Sequence, residues 1–465
     1  MRYYRESRMD TLARYRGVLT IVAIPVLLFL AVLLLSPGKS EYASSFNRSQ
    51  PFSRVEYERT GATDKTERWA VVIDAGSTGS RVHIFKFLTG AGGNLELQFD
   101  KFDQLKPGLS SFADDPAGAA KSLKPLIDLA VATVPSSLQS STPMMVGATA
   151  GLRLLPDGKA DIILDEVRHY MRSFPFKFQD DDVKILSGVD EGAFAWLTLN
   201  YLLGHLGKPH TETVAAIDLG GGSVQEAFAM SREEAKSAPK ADYVTHLRGG
   251  GQEYSVYVYS YLGYGLMAGR AAVLQEDPNG PEDDTHPCIH GGHTGEYEYG
   301  GKSFVAAGHD DGASHGECAV TVQNALKPQE KCGAPQIQCS FSGAWAGPRI
   351  PAVFYASSYF WDRAADAGLV NDDKHISAKV QPGHFESAAL EACPLHVDSL
   401  EDSFPRVQES HRPFFCLDLT YAYTLLTHGF KIPKNKEITL VKKVEYKGET
   451  VEAAWPLGAA INLLN

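Results

Sequence analysis

The sequence has 465 residues, of which 44% are hydrophobic and 22% are charged, a composition typical of globular domains and not of disordered, collagen-like or coiled-coil proteins. The length predicts two or three domains. The formal net charge is −12, divided into +3 over the first 16 residues and −15 over the remainder. An acidic body argues against nucleic-acid binding, which needs a basic surface, but it can bind a nucleotide if a metal ion and backbone amides supply the positive charge.

The first predicted element is a membrane anchor at residues 17–35, which contain no charged side chain and whose apolar run at residues 18–35 spans about 27 Å as a helix. Five arginines precede it and few basic residues follow. The positive-inside rule therefore places residues 1–16 in the cytoplasm and the rest in the Golgi lumen or outside the cell, a single-pass type II topology. A cleaved signal peptide is the alternative, but the apolar stretch is long and lacks a small-residue cleavage site.

A polar stem is predicted at residues 36–68, which are charged and show no periodicity. It contains the glycosylation sequon Asn47-Arg48-Ser49, which fits the exported side of the membrane and predicts a glycoprotein.

The body begins at Trp69 and alternates strands with helices, which predicts an α/β class. Short apolar runs closed by turns indicate buried strands, and longer amphipathic runs indicate helices. We expect a hairpin at residues 70–87, helices at 119–134, 161–174 and 190–203, and further strands at 143–148, 183–186, 214–219 and 254–261.

Six cysteines lie in the C-terminal half, and an even number beyond a membrane anchor predicts disulfides. Fifteen pairings are possible. We favour the sequential pairs Cys288–Cys318, Cys332–Cys339 and Cys393–Cys416. The alternative is a zinc site at Cys288 with its neighbouring histidines (His286, His290 and His293), whose spacing fits no zinc pattern.

Two segments 144 positions apart resemble each other: IDAGSTGSR at residues 73–81 and IDLGGGSVQ at residues 217–225. Each combines a strand, an Asp-x-Gly and a run of small residues, which suggests a duplicated domain. Small residues let backbone N–H groups approach a phosphate, and an aspartate at a strand end can hold a hard divalent cation. Two such turns facing each other would bind a polyphosphate from both sides. Each could instead be an ordinary tight turn with a capping aspartate.

Glu191 is a further candidate, because it begins a predicted helix and a carboxylate beside a phosphate can deprotonate an attacking water. Its alternative is an acid favoured by the helix dipole. Thr149 and Arg153 add a hydroxyl and a cation after another strand, although the arginine could simply form a surface ion pair. No GxxxxGK[ST] or HExxH pattern appears, and no GxSxG follows a strand.

Five segments, in order, resemble the conserved regions of the apyrase family of nucleoside tri- and diphosphate hydrolases. They are VIDAGSTGSR, GATAGLRL, SGVDEGAFAWLTLNYLL, AIDLGGGSVQ and AWPLGA. The single predicted anchor is most similar to the plant-type apyrases and the Golgi nucleoside diphosphatases. The resemblance implies two RNase H-like lobes of the actin, Hsp70 and sugar-kinase superfamily around a cleft. The first lobe would be residues 69–187 completed by 445–465, and the second would be residues 188–444 with the disulfides.

The resemblance also implies roles for individual residues. Glu191 would activate water that Ser223 and Gln225 place, while Asp74 and Asp218 would hold Ca²⁺ or Mg²⁺ through water. Trp455 would close the cleft, although a core tryptophan is the alternative, and Tyr355 is a candidate for base stacking. The remaining phosphate- and nucleotide-binding candidates are Ser77, Thr78, Gly79, Ser80, Arg81, Thr149, Arg153, Gly220, Gly221 and Gly222.

We therefore expect an apyrase that hydrolyses the terminal phosphoanhydride of nucleoside tri- and diphosphates. A Golgi diphosphatase of the same family, acting on GDP or UDP, is the alternative. Two rivals of another class are a sugar-kinase-like phosphotransferase and a non-catalytic, membrane-tethered nucleotide binder. The sequence leaves substrate preference, cation identity and oligomeric state open.

Overall fold

The structure is a computed structural model that describes residues 66–76, 79–90, 94–153, 155–156, 158–276, 284–333 and 338–465. The predicted tail and anchor, and the stem as far as residue 65 with its sequon, lie outside these residues, as do Ser77 and Thr78. Within the described part of the chain, no helix is both long and apolar enough to cross a membrane.

Two mixed sheets form the centre of the α/β body. The first has five strands in the order β3-β2-β1-β4-β5, and the second has seven in the order β13-β14-β12-β6-β7-β9-β8. Two small hairpins, β10–β11 and β15–β16, lie outside them. The strands are β1 Thr66–Ala75, β2 Ser80–Thr89, β3 Leu95–Leu105, β4 Met144–Ala148, β5 Val183–Ile185, β6 Ala215–Leu219, β7 Ser223–Met230, β8 Val244–Gly249, β9 Gln252–Leu262, β10 Thr294–Tyr299, β11 Lys302–Ala307, β12 Phe354–Ser358, β13 Ser377–Val380, β14 Ile438–Val441, β15 Lys443–Tyr446 and β16 Glu449–Glu452.

The two sheets repeat one arrangement around the duplicated segments. In β1–β2, Asp74 pairs with Arg81, and in β6–β7 Asp218 pairs with Gln225, so both hairpins have the same register. A parallel strand lies on the other side of each aspartate-bearing strand, β4 beside β1 and β12 beside β6. The carboxyl ends of β1 and β6 are thereby surrounded in the same way.

One long helix, α6, connects the two sheets in the chain and is buried on nearly all sides. It packs against strands of the second sheet and against α14, which also contacts β1. The helices are α1 Pro116–Ser122, α2 Lys124–Thr133, α3 Ser136–Gln139, α4 Ala150–Arg153, α5 Lys159–Met171, α6 Gly188–Leu202, α7 Arg232–Lys236, α8 Leu266–Gln275, α9 His315–Leu326, α10 Tyr359–Asp366, α11 Pro382–Ala392, α12 Leu400–Ser403, α13 Phe415–Thr424 and α14 Trp455–Leu464.

The predicted hairpin, strands and two of the three predicted helices are confirmed within a few residues. The predicted helix at 119–134 is two helices, because Pro125 sits in the first turn of α2 and the chain turns at Leu123. Several elements were not predicted at all, among them the edge strand β3 and the helices that follow residue 203.

The predicted cysteine pairing is confirmed in full. The three disulfides are Cys288–Cys318, Cys332–Cys339 and Cys393–Cys416. All six cysteines are described and paired, so the zinc alternative is wrong.

A buried ionic network lies in the same half of the chain. Asp418 is fully buried and accepts hydrogen bonds from Arg270 at 2.7 and 2.6 Å and from Arg363 at 2.8 Å. Burial alone would raise the pKa of Asp418, but the two guanidinium groups lower it. The network ties α8, α10 and α13 together.

Candidate active site

The two glycine-rich turns face the same cavity, which has a volume of about 430 Å³. Residues that are far apart in the sequence are therefore brought together by the ends of β1, β4, β6 and β12. Of the predicted site residues, those lining the cavity are Asp74, Arg81, Thr149, Glu191, Asp218, Gly220, Gly221, Gly222, Ser223 and Trp455.

Both turns are closed by the same backbone hydrogen bond. The N–H of Gly76 donates to the carbonyl of Gly79 at 3.0 Å, and the N–H of Gly220 donates to the carbonyl of Ser223 at 3.0 Å. Gly79 is required sterically, because a Cβ there would lie 2.7 Å from the carbonyl oxygen of Leu105. The described residues of the two turns thus share their closing hydrogen bond.

The two aspartates have different partners. Arg81 Nη1 lies 3.4 Å from Asp74 Oδ2, whereas Oδ1 of Asp74 is buried and has no hydrogen-bond partner among the described residues. Oδ1 of Asp218 accepts hydrogen bonds from the hydroxyls of Ser357 at 3.2 Å and Ser358 at 2.5 Å. Burial raises the pKa of both acids, that of Asp74 to about 6 despite the opposing charge of Arg81.

Glu191 lies in the first turn of α6, whose start is capped by Ser187 accepting a hydrogen bond from the N–H of Asp190. Nη2 of Arg153 donates to Oε2 of Glu191 at 2.6 Å, and both side chains are nearly buried. Burial raises the pKa of Glu191 to about 8, although Arg153 opposes the shift. Arg153 does not line the cavity and instead lies against the Glu191 carboxylate.

Gln225 is held in a buried set of hydroxyls beside this helix. Its Nε2 donates to Ser223 Oγ at 2.7 Å and to Ser260 Oγ at 2.9 Å. The helix can approach closely because Gly188 faces Ser260, where a Cβ would lie 2.1 Å from the hydroxyl oxygen, and Gly192 faces Gln225. The spacing of these two glycines places them on one face of α6.

The remaining predicted residues divide between the cavity and its surroundings. Trp455 is buried and packs over Gly147, where a Cβ would lie 2.6 Å from the indole, so it forms a wall of the cavity. Ser80 is buried next to the first turn without lining the cavity. Tyr355 does not line the cavity and packs instead against the apolar cluster around α6. The nearby aromatic residues that do line the cavity are Tyr359 and Trp361.

Residues 60–465 match the GDA1/CD39 (nucleoside phosphatase) family. The chain belongs to this family. It is 43% identical over 477 residues to "Probable apyrase 1" of Oryza sativa subsp. japonica, covering 98% of this chain and 96% of the rice protein. It is 42% identical over 473 residues to "Apyrase 1" of Arabidopsis thaliana, covering 99% and 98%. The crystal structure of nucleoside triphosphate hydrolases from Neospora caninum shares the fold, with a TM-score of 0.61 at 14% identity over 86% of this chain and 93% of that one. The family resemblance read from the motifs is confirmed.

Several residues of this nucleoside phosphatase's cavity were not predicted from its sequence. In the strand pairing, Ser357 lies opposite Asp218 as Gly147 lies opposite Asp74, and Ser358 follows Ser357 as Ala148 follows Gly147. This correspondence can be seen only in the structure. The others have no motif around them. The charged or titratable ones on the cavity wall are His83, Asp362, Lys442 and Glu452, and Ser260, which binds Gln225 outside the cavity lining, was also missed.

Proposed function

We propose that the protein is an apyrase, which removes the terminal phosphate from nucleoside tri- and diphosphates by attack of water. The observation that carries the proposal is one cavity lined by both duplicated Asp-x-Gly turns and by Glu191. The names of the rice and Arabidopsis relatives, which align over nearly their whole length, support it.

The cavity fits a hard divalent cation, Ca²⁺ or Mg²⁺. The partnerless Oδ1 of Asp74 and the carboxylate of Asp218 line it, and carboxylate oxygens are the ligands such cations prefer. We propose that the two acids hold the ion through its water shell. Among the described residues, no three acid, histidine or cysteine side chains are grouped to ligate a metal directly. When bound, the cation would offset phosphate charge as it builds up during hydrolysis.

The protein's own groups supply the remaining chemistry. We propose that backbone N–H groups of the two turns bind phosphate oxygens and hold the terminal phosphate of the nucleotide in position for in-line attack by water. Ser223 lines the cavity and would orient the water, while Gln225 lies behind it, outside the cavity lining, and holds the Ser223 hydroxyl in place. The raised pKa makes Glu191 a strong proton acceptor, and it takes the proton from water as the oxygen attacks phosphorus. Arg153 keeps the Glu191 carboxylate in place.

Phosphate release from ATP, ADP, GDP and UDP, with Ca²⁺, Mg²⁺ or EDTA and no acceptor, tests this function. We expect cation-dependent release by the wild type and a loss of about 10²-fold or more in kcat for Glu191→Gln, with nucleotide binding retained. Glu166→Gln, an exposed acid on α5, is the matched control. Full activity of Glu191→Gln would refute the assignment of the base.

The same panel separates the alternatives. Release confined to GDP and UDP would indicate a diphosphatase of the same family, release only with a sugar acceptor would indicate a phosphotransferase, and binding without release would indicate a non-catalytic binder.

We also propose that the two sheets are the cores of two RNase H-like lobes, residues 69–187 with 445–465 and residues 188–444. The identical hairpin register and the fold shared with the Neospora structure support this division. If the lobes move relative to each other, X-ray scattering should show a smaller radius of gyration when a non-hydrolysable nucleotide and Ca²⁺ are added. An unchanged radius would argue against a mobile cleft.

Membrane anchoring through residues 17–35, with the body in the Golgi lumen or outside the cell, remains a proposal. It rests on the charge-free stretch and the arginines before it. Resistance of the full chain to alkaline extraction, together with glycan on Asn47, would support it. Release of the whole chain by alkali would contradict it.

A further inference from the structure

A buried histidine on the wall of the cavity contacts two acids from other parts of the fold. His83, only 3% exposed, lies on β2 with its ring stacked on Phe85. Its Nδ1 is 3.3 Å from Asp100 Oδ1 on β3, and its Nε2 is 3.5 Å from Glu452 Oε2 on β16. Because each ring nitrogen faces a carboxylate, both nitrogens can donate only if the ring is an imidazolium.

The charges around His83 favour that form. Burial alone would lower the pKa of His83, but the hydrogen bond and charge of Asp100, the charge of Glu452 and the charge of Asp74 raise it. These three acids are the charged groups that face the ring from β3, β16 and β1. The cation is therefore present below the raised pKa and is lost as the pH rises through it.

Glu452 occupies an unfavourable place for an acid in a nucleotide phosphatase. It lines the same cavity as the second glycine-rich turn, so its negative charge faces the space that a phosphate chain would enter. Like charges in a partly buried cleft repel each other strongly enough to affect binding by about an order of magnitude. A neutralising partner for Glu452 would remove this repulsion.

We propose that His83 is a positioning residue for nucleotide binding: its imidazolium holds and neutralises Glu452 at the cavity wall, so that this acid does not repel the phosphate chain. The inference rests on the proposed function. The contact between His83 and Glu452 also connects β2, beside the first turn, to the segment that leads into Trp455. His83 contributes to substrate affinity and has no part in proton transfer.

A double-mutant cycle tests the proposal with Ca²⁺ present. His83→Gln should raise KM about tenfold and change kcat little, because Glu452 is left without its cation. Glu452→Gln should leave KM within about twofold, and the double variant should regain most of the lost affinity. The dissociation constant of β,γ-methylene-ATP, measured by calorimetry, should follow the same pattern even if wild-type hydrolysis proves absent.

Two controls separate positioning from mere stability. His169→Gln and Glu449→Gln change an exposed histidine and an exposed acid of the same strand as Glu452, and should leave KM unchanged. The KM of the wild type should rise as the pH passes through the pKa of His83, and this rise should be smaller in Glu452→Gln. The comparison does not require that a His83 variant folds. Additive effects in the cycle, or weaker binding by Glu452→Gln alone, would overturn the proposal.

Discussion

Arg153 offers the sharpest test of how Glu191, the proposed general base, is controlled. The Arg153–Glu191 contact is 2.6 Å, and the two side chains are 13% and 12% exposed, so water screens the pair weakly. Burial raises the pKa of Glu191 to about 8 although Arg153 opposes it. Arg153→Gln removes the opposing charge, and the pKa of Glu191 should then rise further, by about 1–3 on the pH scale.

Only ionised Glu191 can accept a proton, so kcat/KM should rise with pH as this carboxylate ionises. In Arg153→Gln the rise should move to higher pH. Activity at pH about 7 should then fall by about 10- to 10³-fold, because the ionised fraction of the acid drops about tenfold each time its pKa increases by one. Arg153→Lys keeps the charge and should move the profile less.

The measurement is the pH dependence of kcat/KM for phosphate release, with circular dichroism at each pH to verify the fold. Activity lost in Arg153→Gln should return in part as the pH is raised. A profile that keeps its wild-type midpoint, or a loss equal at every pH, would refute the reasoning, since it would mean that Arg153 does not set the ionisation of Glu191.

Three further changes have defined outcomes. Gly147→Ala places a Cβ 2.6 Å from the Trp455 indole, so the free energy of unfolding should fall by about 1–3 kcal/mol and the melting temperature with it. KM should also rise, and an unchanged KM would contradict the role of the indole as a cavity wall. Ser260→Ala removes one of the two hydroxyls bonded to Gln225, and kcat should fall several-fold with KM nearly constant; a change in KM alone would assign Ser260 to binding. Asp418→Asn leaves the buried guanidinium of Arg270 without its acid partner, whereas Arg363 keeps Asp366 at 2.8 Å. The change should cost about 3–5 kcal/mol in denaturant unfolding, while kcat of the folded fraction stays unchanged.

The elements with strong local signals could be predicted from the sequence. The β1–β2 hairpin and the strand that carries Asp218 are short apolar runs closed by turn residues, and the helix that carries Glu191 is a longer apolar run ended by Gly204; the structure contains all three. Sequential order also sufficed for the disulfides. Strand β3 was missed although its first six residues, LELQFD, alternate apolar and polar side chains, so the signal that could have found it was present in the sequence.

The site was predictable only where its chemistry is encoded in a short motif. Asp74, Asp218 and Glu191 lie in such motifs, and the structure brings them to one cavity. His83 and Glu452 are almost 370 positions apart, and neither has a motif that signals the other. Their contact depends on how the C-terminal segment packs against β2, which is a property of the tertiary fold.

The two hairpins have the same register, but the side chains at equivalent positions differ in chemistry. The residue opposite the aspartate is a guanidinium in one half, at Arg81, and a neutral amide in the other, at Gln225. The shared register therefore fixes where the two side chains lie, while their charges differ: Arg81 lies beside the carboxylate of Asp74, whereas Gln225 brings no charge to Asp218 and binds two hydroxyl groups instead.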